Sequence, residues 1–488
     1  MRDLPRALSG EGWHVSVATP SYGVLHTASG AERIATLPVP FRDTQVEVEV
    51  WRAVGEAGVE HIILHHALFE AQGPGRIYFT EDGDRPFATD ANKFAFFCIA
   101  AACWIRSFKQ SPDVVHLHDW HAAFYLLVTH YLQEFESLRH IRTVFTIHNL
   151  AYQGTRPLHG DESSLAAWYP SMSAETRQIA DPEHAHCINP MAAAIRLADR
   201  VSTVSPTYAG EICRPSDPDN GFVGGEGLES LLLEAKESNR LAGVLNGCFY
   251  DDLRGRRPGW QRIISMLESQ LRDWLANAPE KEVHKLAIAR VASMPKRRPR
   301  HVLTSIGRLV AQKATLLLHE DKSGKSALQR IADELGKNGV IIVLGSGETI
   351  FEERLLDVAR RTPNLIFLCG YSESLAEPLY HAGDLFLMPS SFEPCGISQM
   401  LAMRRGQPCI AHAIGGLRDT IRDQKTGFLF DGSTPDIQAD AFVSTTLDAL
   451  TVRTDDPMRW QDIRKAAAAQ RFDWASSAKR TIESLYED

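Results

Sequence analysis

Pro389-Ser390-Ser391-Phe392-Glu393-Pro394-Cys395-Gly396-Ile397-Ser398-Gln399-Met400 follows the apolar run Asp384-Leu385-Phe386-Leu387-Met388. The run reads as a buried strand, and the proline at 394 predicts a helix opening there, because proline suits the first helical position. Glu393 then stands at the C-terminal end of a strand, where open α/β sheets take their ligands. The N–H groups of Cys395 and Gly396 are expected to point out of a positive helix end, a ready site for an anion. A carboxylate would compete with that anion, so Glu393 is expected to face a different part of the ligand.

Outward from this segment, short apolar strands alternate with helical stretches, the pattern of parallel sheets covered by helices on both faces. Candidate strands of the first half are 14–18, 114–117, 143–147 and 201–204, and 36–51 alternates as an antiparallel hairpin would. The second half repeats the pattern at 302–306, 340–344, 365–368 and 385–388. Two separately wound sheets are expected. Between them, Trp260 to Asn277 reads as an amphipathic helix and Met294-Pro295-Lys296-Arg297-Arg298-Pro299-Arg300 as a basic, proline-punctuated linker. The expected division is 1–250, a helical segment and linker 251–300, a second domain 301–465 and a closing helix 466–488.

A chain of 488 residues exceeds one ordinary core and favours two domains. Its net charge of -9 argues against nucleic acid or an anionic membrane as partner. The eight cysteines form no C-x-x-C pair and several sit in apolar runs, so they read as thiols in a reducing, cytoplasmic compartment. No apolar stretch is long enough to span a membrane, and the start does not read as a signal peptide.

Further motifs join the opening one. Ser391 to Gly396, Gln399, Ala402-Met403-Arg404 and Gly415-Gly416-Leu417-Arg418-Asp419-Thr420 resemble the C-terminal signature of bacterial glycogen and plant starch synthases. His116-Leu117-His118-Asp119-Trp120-His121-Ala122, Thr146-Ile147-His148-Asn149-Leu150-Ala151-Tyr152-Gln153-Gly154, Val204 to Tyr208, and Val244-Leu245-Asn246-Gly247 resemble that family's N-terminal motifs, in its order. Arg308-Leu309-Val310-Ala311-Gln312-Lys313 resembles its phosphate-binding segment. The resemblance implies an α/β chain of two Rossmann-like, doubly wound domains facing a central cleft, the GT-B arrangement. It implies a retaining glucosyltransferase that uses ADP-glucose and an α-1,4-glucan, without metal or cofactor.

A nucleotide diphosphate that leaves without a metal needs fixed cations and amides aimed at it. By resemblance Arg308 and Lys313 supply the cations, as a fork and a point charge. Gly415 and Gly416 can let backbone approach a phosphate closely. Tyr371 matches the family position whose ring stacks on the base, a platform that does not itself choose adenine. His148 and Asp119, at neighbouring strand ends, can grip sugar hydroxyls, and Asn246 belongs to a matching motif. Glu393 would stabilise the oxocarbenium-like state of glycosyl transfer. A wider group of retaining transferases has a second acid eight positions later, and Leu401 stands there, which favours an electrostatic role for Glu393. His116, His118 and His121 are not expected to hold a metal, because His121 lies past the strand and no Cys or Glu completes a site. Other readings of the same fold are a sucrose-type synthase, an epimerase, or a glucan-binding protein without activity.

Met1 to Leu8 resembles the interior of a helix that the family places after its first strand and a Lys-x-Gly-Gly-Leu loop. Neither precedes it here, so Met1 is expected to be an internal methionine of a longer product, and a chain beginning there is expected to have low activity or none.

Overall fold

A computed structural model describes residues 3–71, 73–79, 85, 87–173, 176–250 and 257–487. Met1 and Arg2, on which the reading of the start bears, lie outside the described residues. The chain forms two compact units: Met1–Ser216, Gly224–Val244 and Trp474–Asp488 make the first, Asp217–Val223 and Leu245–Asp473 the second.

In the first unit, β1 (Ser16–Pro20), β2 (Glu32–Phe41), β3 (Thr44–Val54) and β4 (Glu60–His65) form one sheet in the order β1-β4-β3-β2. The hairpin read from alternation is β2–β3, closed by a two-residue turn in which Arg42 takes φ 60°. Val48 and Val50 point into the core while Glu47 and Glu49 point away, the period-2 pattern of a half-buried strand. A second sheet contains β5 (Val114–His118) and β6 (Arg142–Ile147); after a two-stranded ribbon of β7 (Arg156–Pro157) and β8 (Cys187–Ile188) it is completed by β9 (Arg200–Thr203) and β10 (Leu241–Gly243), in the order β10-β9-β6-β5. The strands of this unit therefore fall into two sheets, with β1 and β5 as edges. Helix Ala88–Arg106 is buried nearly all round and joins one core with both sheets, which is why its sequence lacks a polar face. Closing helix Trp474–Thr481 and the π-turn Ile482–Tyr486 pack with Leu8 and Val144.

The second unit holds one parallel sheet of β11 (His301–Ile306), β12 (Gly339–Gly345), β13 (Leu365–Cys369), β14 (Leu385–Met388), β15 (Cys409–His412) and β16 (Phe428–Phe430). Its order is β13-β12-β11-β14-β15-β16, so the winding reverses between β11 and β14. Alternate side chains serve opposite faces: Leu303, Ile341 and Val343 join one core, Val302, Val340 and Ile342 another. Each such fully buried aliphatic side chain contributes about 1.5–3 kcal/mol, and burial on both faces explains continuous apolar runs such as that of β12.

The stretch expected to be a separate connector belongs to this sheet's cover. Helix Trp260–Asn277 buries Trp260, Ile263, Leu267 and Leu271 at helical spacing against it, followed by helix Glu282–Ala292. A Cβ on Gly370 would lie 2.7 Å from the Trp274 ring, so the glycine after β13 is what lets this helix dock.

Candidate functional site

The C-terminal ends of β11 and β14 border an open pocket lined by Ser305 to Leu309, Lys313, Leu317, Val343 and Leu387 to Ser390. This is the switch point of the sheet, where neighbouring crossovers leave on opposite faces and open a crevice. Arg308 is exposed there and forms no ion pair among the described residues. Lys313 lies five positions on, and its Nζ donates to Glu393 Oε2 at 2.9 Å. Ser390 Oγ donates to the same oxygen at 3.0 Å. Glu393 is buried, with 6% of its surface exposed, so its charge is held by two donors rather than by water. The two loops are tied together: Ser391 N donates to Gln312 O, and Gln312 Nε2 donates to Phe392 O.

The helix expected to open at Pro394 opens four residues later, as Ser398–Arg404. Gly396 takes φ +72°, which ends any regular run there, and Gln399 Nε2 bonds the carbonyls of Cys395 and Gly396. The amides of Cys395 and Gly396 thus belong to an irregular loop and not to a helix end. Cys395 is buried, and desolvation pushes its thiol up to about 12, which makes it an inert neutral group. Its thiol meets the backbone of Asn246, a residue read from sequence as part of the first domain but lying in the second unit.

Gly415 and Gly416 open the short helix Gly415–Thr420, and Gly415 takes φ +40°. The close approach at Gly416 is to protein rather than to open space. A Cβ there would stand 2.2 Å from Cys395 O, and its N–H donates to Glu393 O at 3.0 Å. The glycine therefore positions the loop that carries Glu393. Behind it, His412 is buried and held neutral by desolvation, with Nδ1 3.1 Å from Ser390 O. Tyr371, two residues past β13, is 83% exposed with its ring uncovered.

In the first unit, Asp119 directly follows β5 with φ +56°, a strained setting for a non-glycine residue. Its Oδ1 accepts the His148 amide at 2.7 Å, which fastens the end of β6 to the end of β5. Burial raises the Asp119 carboxyl, opposed by His148 and by the backbone N–H groups of His148 and Asn149. His148 is lowered chiefly by burial, and its Nε2 lies 3.1 Å from His118 Nδ1. His118 stacks at 4.3 Å on His116, which joins Tyr486 Oη at 2.7 Å and Thr146 Oγ1 at 2.6 Å. Desolvation lowers both, His116 to about 3, so the row is neutral imidazole and each shared proton is fixed by its partner. Gly154 of the His148 motif packs on Trp120 of the Asp119 motif, where a Cβ would stand 2.2 Å from the indole.

Each unit thus gathers its own share of the expected residues: Arg308, Lys313, Glu393, Cys395 and Gly416 in the second, Asp119 and His148 in the first. Sequence reading missed Ser390 as a donor to Glu393 and His118 as the partner of His148. Both lie inside the quoted motifs, and the shared strand face of His116 and His118 was the available signal. Among the described residues no group of His, Cys, Asp and Glu is arranged to hold a metal ion, and no helix is long and apolar enough to cross a membrane.

Residues 1–234 match the family model described as starch synthase catalytic domain, and residues 300–448 match that of glycosyl transferases group 1. A glycogen synthase of Lactiplantibacillus plantarum is 32% identical over 98% of this chain and 92% of its own length. One from Streptococcus equi subsp. equi is 31% identical, covering 99% and 94%. Among solved structures, the catalytic domain of starch synthase IV from Arabidopsis thaliana, bound to ADP and acarbose, superposes with a TM-score of 0.77 at 26% identity, covering 99% of this chain and 93% of that one. Sucrose-phosphate synthase from Thermosynechococcus elongatus shares the fold, with a TM-score of 0.54 at 16% identity over 98% and 90%.

Proposed function

Because this chain belongs to the glycogen synthase family, we propose that it transfers glucose from ADP-glucose to the non-reducing end of an α-1,4-glucan with retention of anomeric configuration. The C1–O bond to the diphosphate breaks, a C1–O4 bond to the acceptor forms, and the acceptor hydroxyl proton leaves with ADP. The observation that carries this reading is the triad of Lys313, Glu393 and Ser390 at the switch point of the second unit's six-stranded sheet, beside exposed Arg308.

Arg308 and Lys313 receive the diphosphate, whose charge grows as the bond breaks. Lys313 then bridges leaving group and carboxylate, and its pairing with Glu393 keeps both aligned before substrate arrives. Glu393 faces the glucosyl ring, where its charge favours the oxocarbenium-like state. With Leu401 in place of a second acid and Ser390 holding Oε2, an electrostatic role suits Glu393 better than that of a nucleophile. Tyr371 offers an aromatic face to the base. His148, held by Asp119 and His118, keeps one ring nitrogen for a sugar hydroxyl. Eight unpaired thiols support a cytoplasmic location.

The deciding experiment measures ADP release from ADP-glucose with and without glycogen, in the natural chain and in Glu393→Ala. Glycogen-dependent release that falls by about 10³-fold or more in the variant is expected. Equal release from the variant would remove Glu393 from the chemistry, and release indifferent to glycogen would point to another sugar-nucleotide reaction. ADP binding by calorimetry, expected in both proteins, separates a lost catalytic step from a lost donor site.

A further inference from the structure

At the opposite end of the second unit's six-stranded sheet, about 20 Å from the pocket at 3.3 Å per strand residue, lies a charge imbalance that the proposed reaction does not use. Asp384, just before β14, is buried, and its Oδ2 accepts the Val302 amide at 2.9 Å at the start of β11. Three arginines from separate segments converge on this one carboxylate: Arg298 at 2.9 Å, Arg453 at 3.2 Å and Arg257 at 3.8 Å. Their side chains are only 27%, 18% and 36% exposed, so water screens them incompletely. Arg300, exposed beside them, adds repulsion felt at Arg453 and His301. Glu377, whose charge is felt at neighbouring His381, is already bound by Arg404 and Arg405. His301 and His381 add no further charge, since burial chiefly and nearby arginines as well lower both, His381 through Arg405 and Arg257 and His301 through Arg453, Arg300 and Arg298.

Structural duties consume part of the donor capacity. Arg257 and Arg298 both donate to Ala382 O, the last carbonyl of helix Glu373–Ala382, and Arg453 faces His301 Nδ1 at 3.0 Å. Each guanidinium has five N–H groups in a fork matched to a tetrahedral oxyanion, and these contacts leave several unused. Among the described residues one carboxylate faces three partly buried cations, which leaves an excess of two positive charges there, in a protein whose net charge is -9. A solvated basic face would spread its cations apart, whereas this one crowds them around a single acid.

We infer that the face around Asp384 is a binding site for a phosphate-type oxyanion, held by Arg257, Arg298, Arg300 and Arg453 and separate from the sugar-nucleotide pocket. Inorganic phosphate or a phosphate monoester supplies the same chemistry. Glycerol 3-phosphate therefore serves as a second probe: tighter binding of the monoester marks a phosphorylated metabolite as the ligand, and equal binding marks phosphate itself.

The test is calorimetric titration of both probes at constant ionic strength into the full chain, into Arg257→Gln/Arg300→Gln, and into Arg308→Gln. Arg300 is exposed and Arg257 is the most exposed of the three arginines on Asp384, and the melting temperature of the double variant without phosphate checks the fold. Binding weakened at least tenfold in the double variant and kept within twofold in Arg308→Gln is expected. Should the double variant lower the melting temperature, Arg300→Gln alone is read, with about threefold weakening expected. Undiminished binding in the altered cluster, or binding abolished by Arg308→Gln alone, overturns the proposal.

Discussion

Glu393 does not act through its position alone, because the protein surrounds it with specific neighbours. Lys313 and Ser390 reach its carboxylate, and the Gly416 amide reaches its carbonyl. Gly416→Ala would drive a methyl group to 2.2 Å from Cys395 O, backbone that cannot swing away. A loss of about 1–3 kcal/mol or more is expected in denaturant unfolding, together with loss of glycogen-dependent ADP release. Lys313→Ala removes the partner of Glu393 and, on the proposed reading, a cation for the diphosphate, so its rate is expected to fall by about 10²–10³-fold, with Lys313→Arg recovering part of it. A Lys313→Ala enzyme with an unchanged rate would take Lys313 out of the mechanism. The identity of these residues was legible in the motif, but their mutual contacts were not. Lys313 and Glu393 stand 80 positions apart, and no local pattern in a chain reports which distant loop a side chain will meet.

Secondary structure shows where local signals suffice and where they fail. Strands β11 to β14 were readable because burial on both faces demands unbroken apolar runs, and the β2–β3 hairpin because burial on one face demands alternation. The helix after Glu393 was misplaced because Pro394 is a permissive start signal and Gly396 overrides it by turning left-handed. The π-turn after the closing helix reaches the His148 row through the Tyr486 hydroxyl on His116. Tyr486→Phe leaves a buried imidazole nitrogen short of a partner and is expected to cost about 1–3 kcal/mol in thermal or denaturant unfolding. His118→Ala frees the His148 ring and is expected to lower kcat/KM by up to about 100-fold while leaving ADP binding intact. A His118→Ala enzyme that binds glucan and turns over normally would sever His118 from the site.

Acid should expose the fold's dependence on neutral imidazole. His116 and His121 are lowered by burial to about 3 and about 4, and His118 and His148 are lowered by the same cause. The unfolded chain takes up protons at these groups below pH 6.5, whereas the folded chain does not until far lower. Their contribution is therefore intact above about pH 6.5 and is lost as pH falls from there toward 3. Each contributes a slope of up to about 1.4 kcal/mol per pH unit. Melting temperatures measured from pH 7.5 to 5 should fall accordingly, and a flat profile would show these rings hydrated. Tyr486→Phe and His118→Ala should each alter that profile, because they change the row in which the rings are buried.

Composition, apolar periodicity and ordered motifs were enough to specify an α/β chain, a carboxylate after a strand in its second half and a histidine after a strand in its first, since each depends on neighbours along the chain; that the first half divides its strands between two four-stranded sheets instead of one was not legible. Folding alone brought Lys313 onto Glu393, assigned Asn246 to the second unit, packed 260–277 onto the sheet and crowded Arg257, Arg298 and Arg453 around Asp384. Those pairings join segments tens to hundreds of residues apart. Their energies come from desolvation and geometry that exist only once the strands have taken their order.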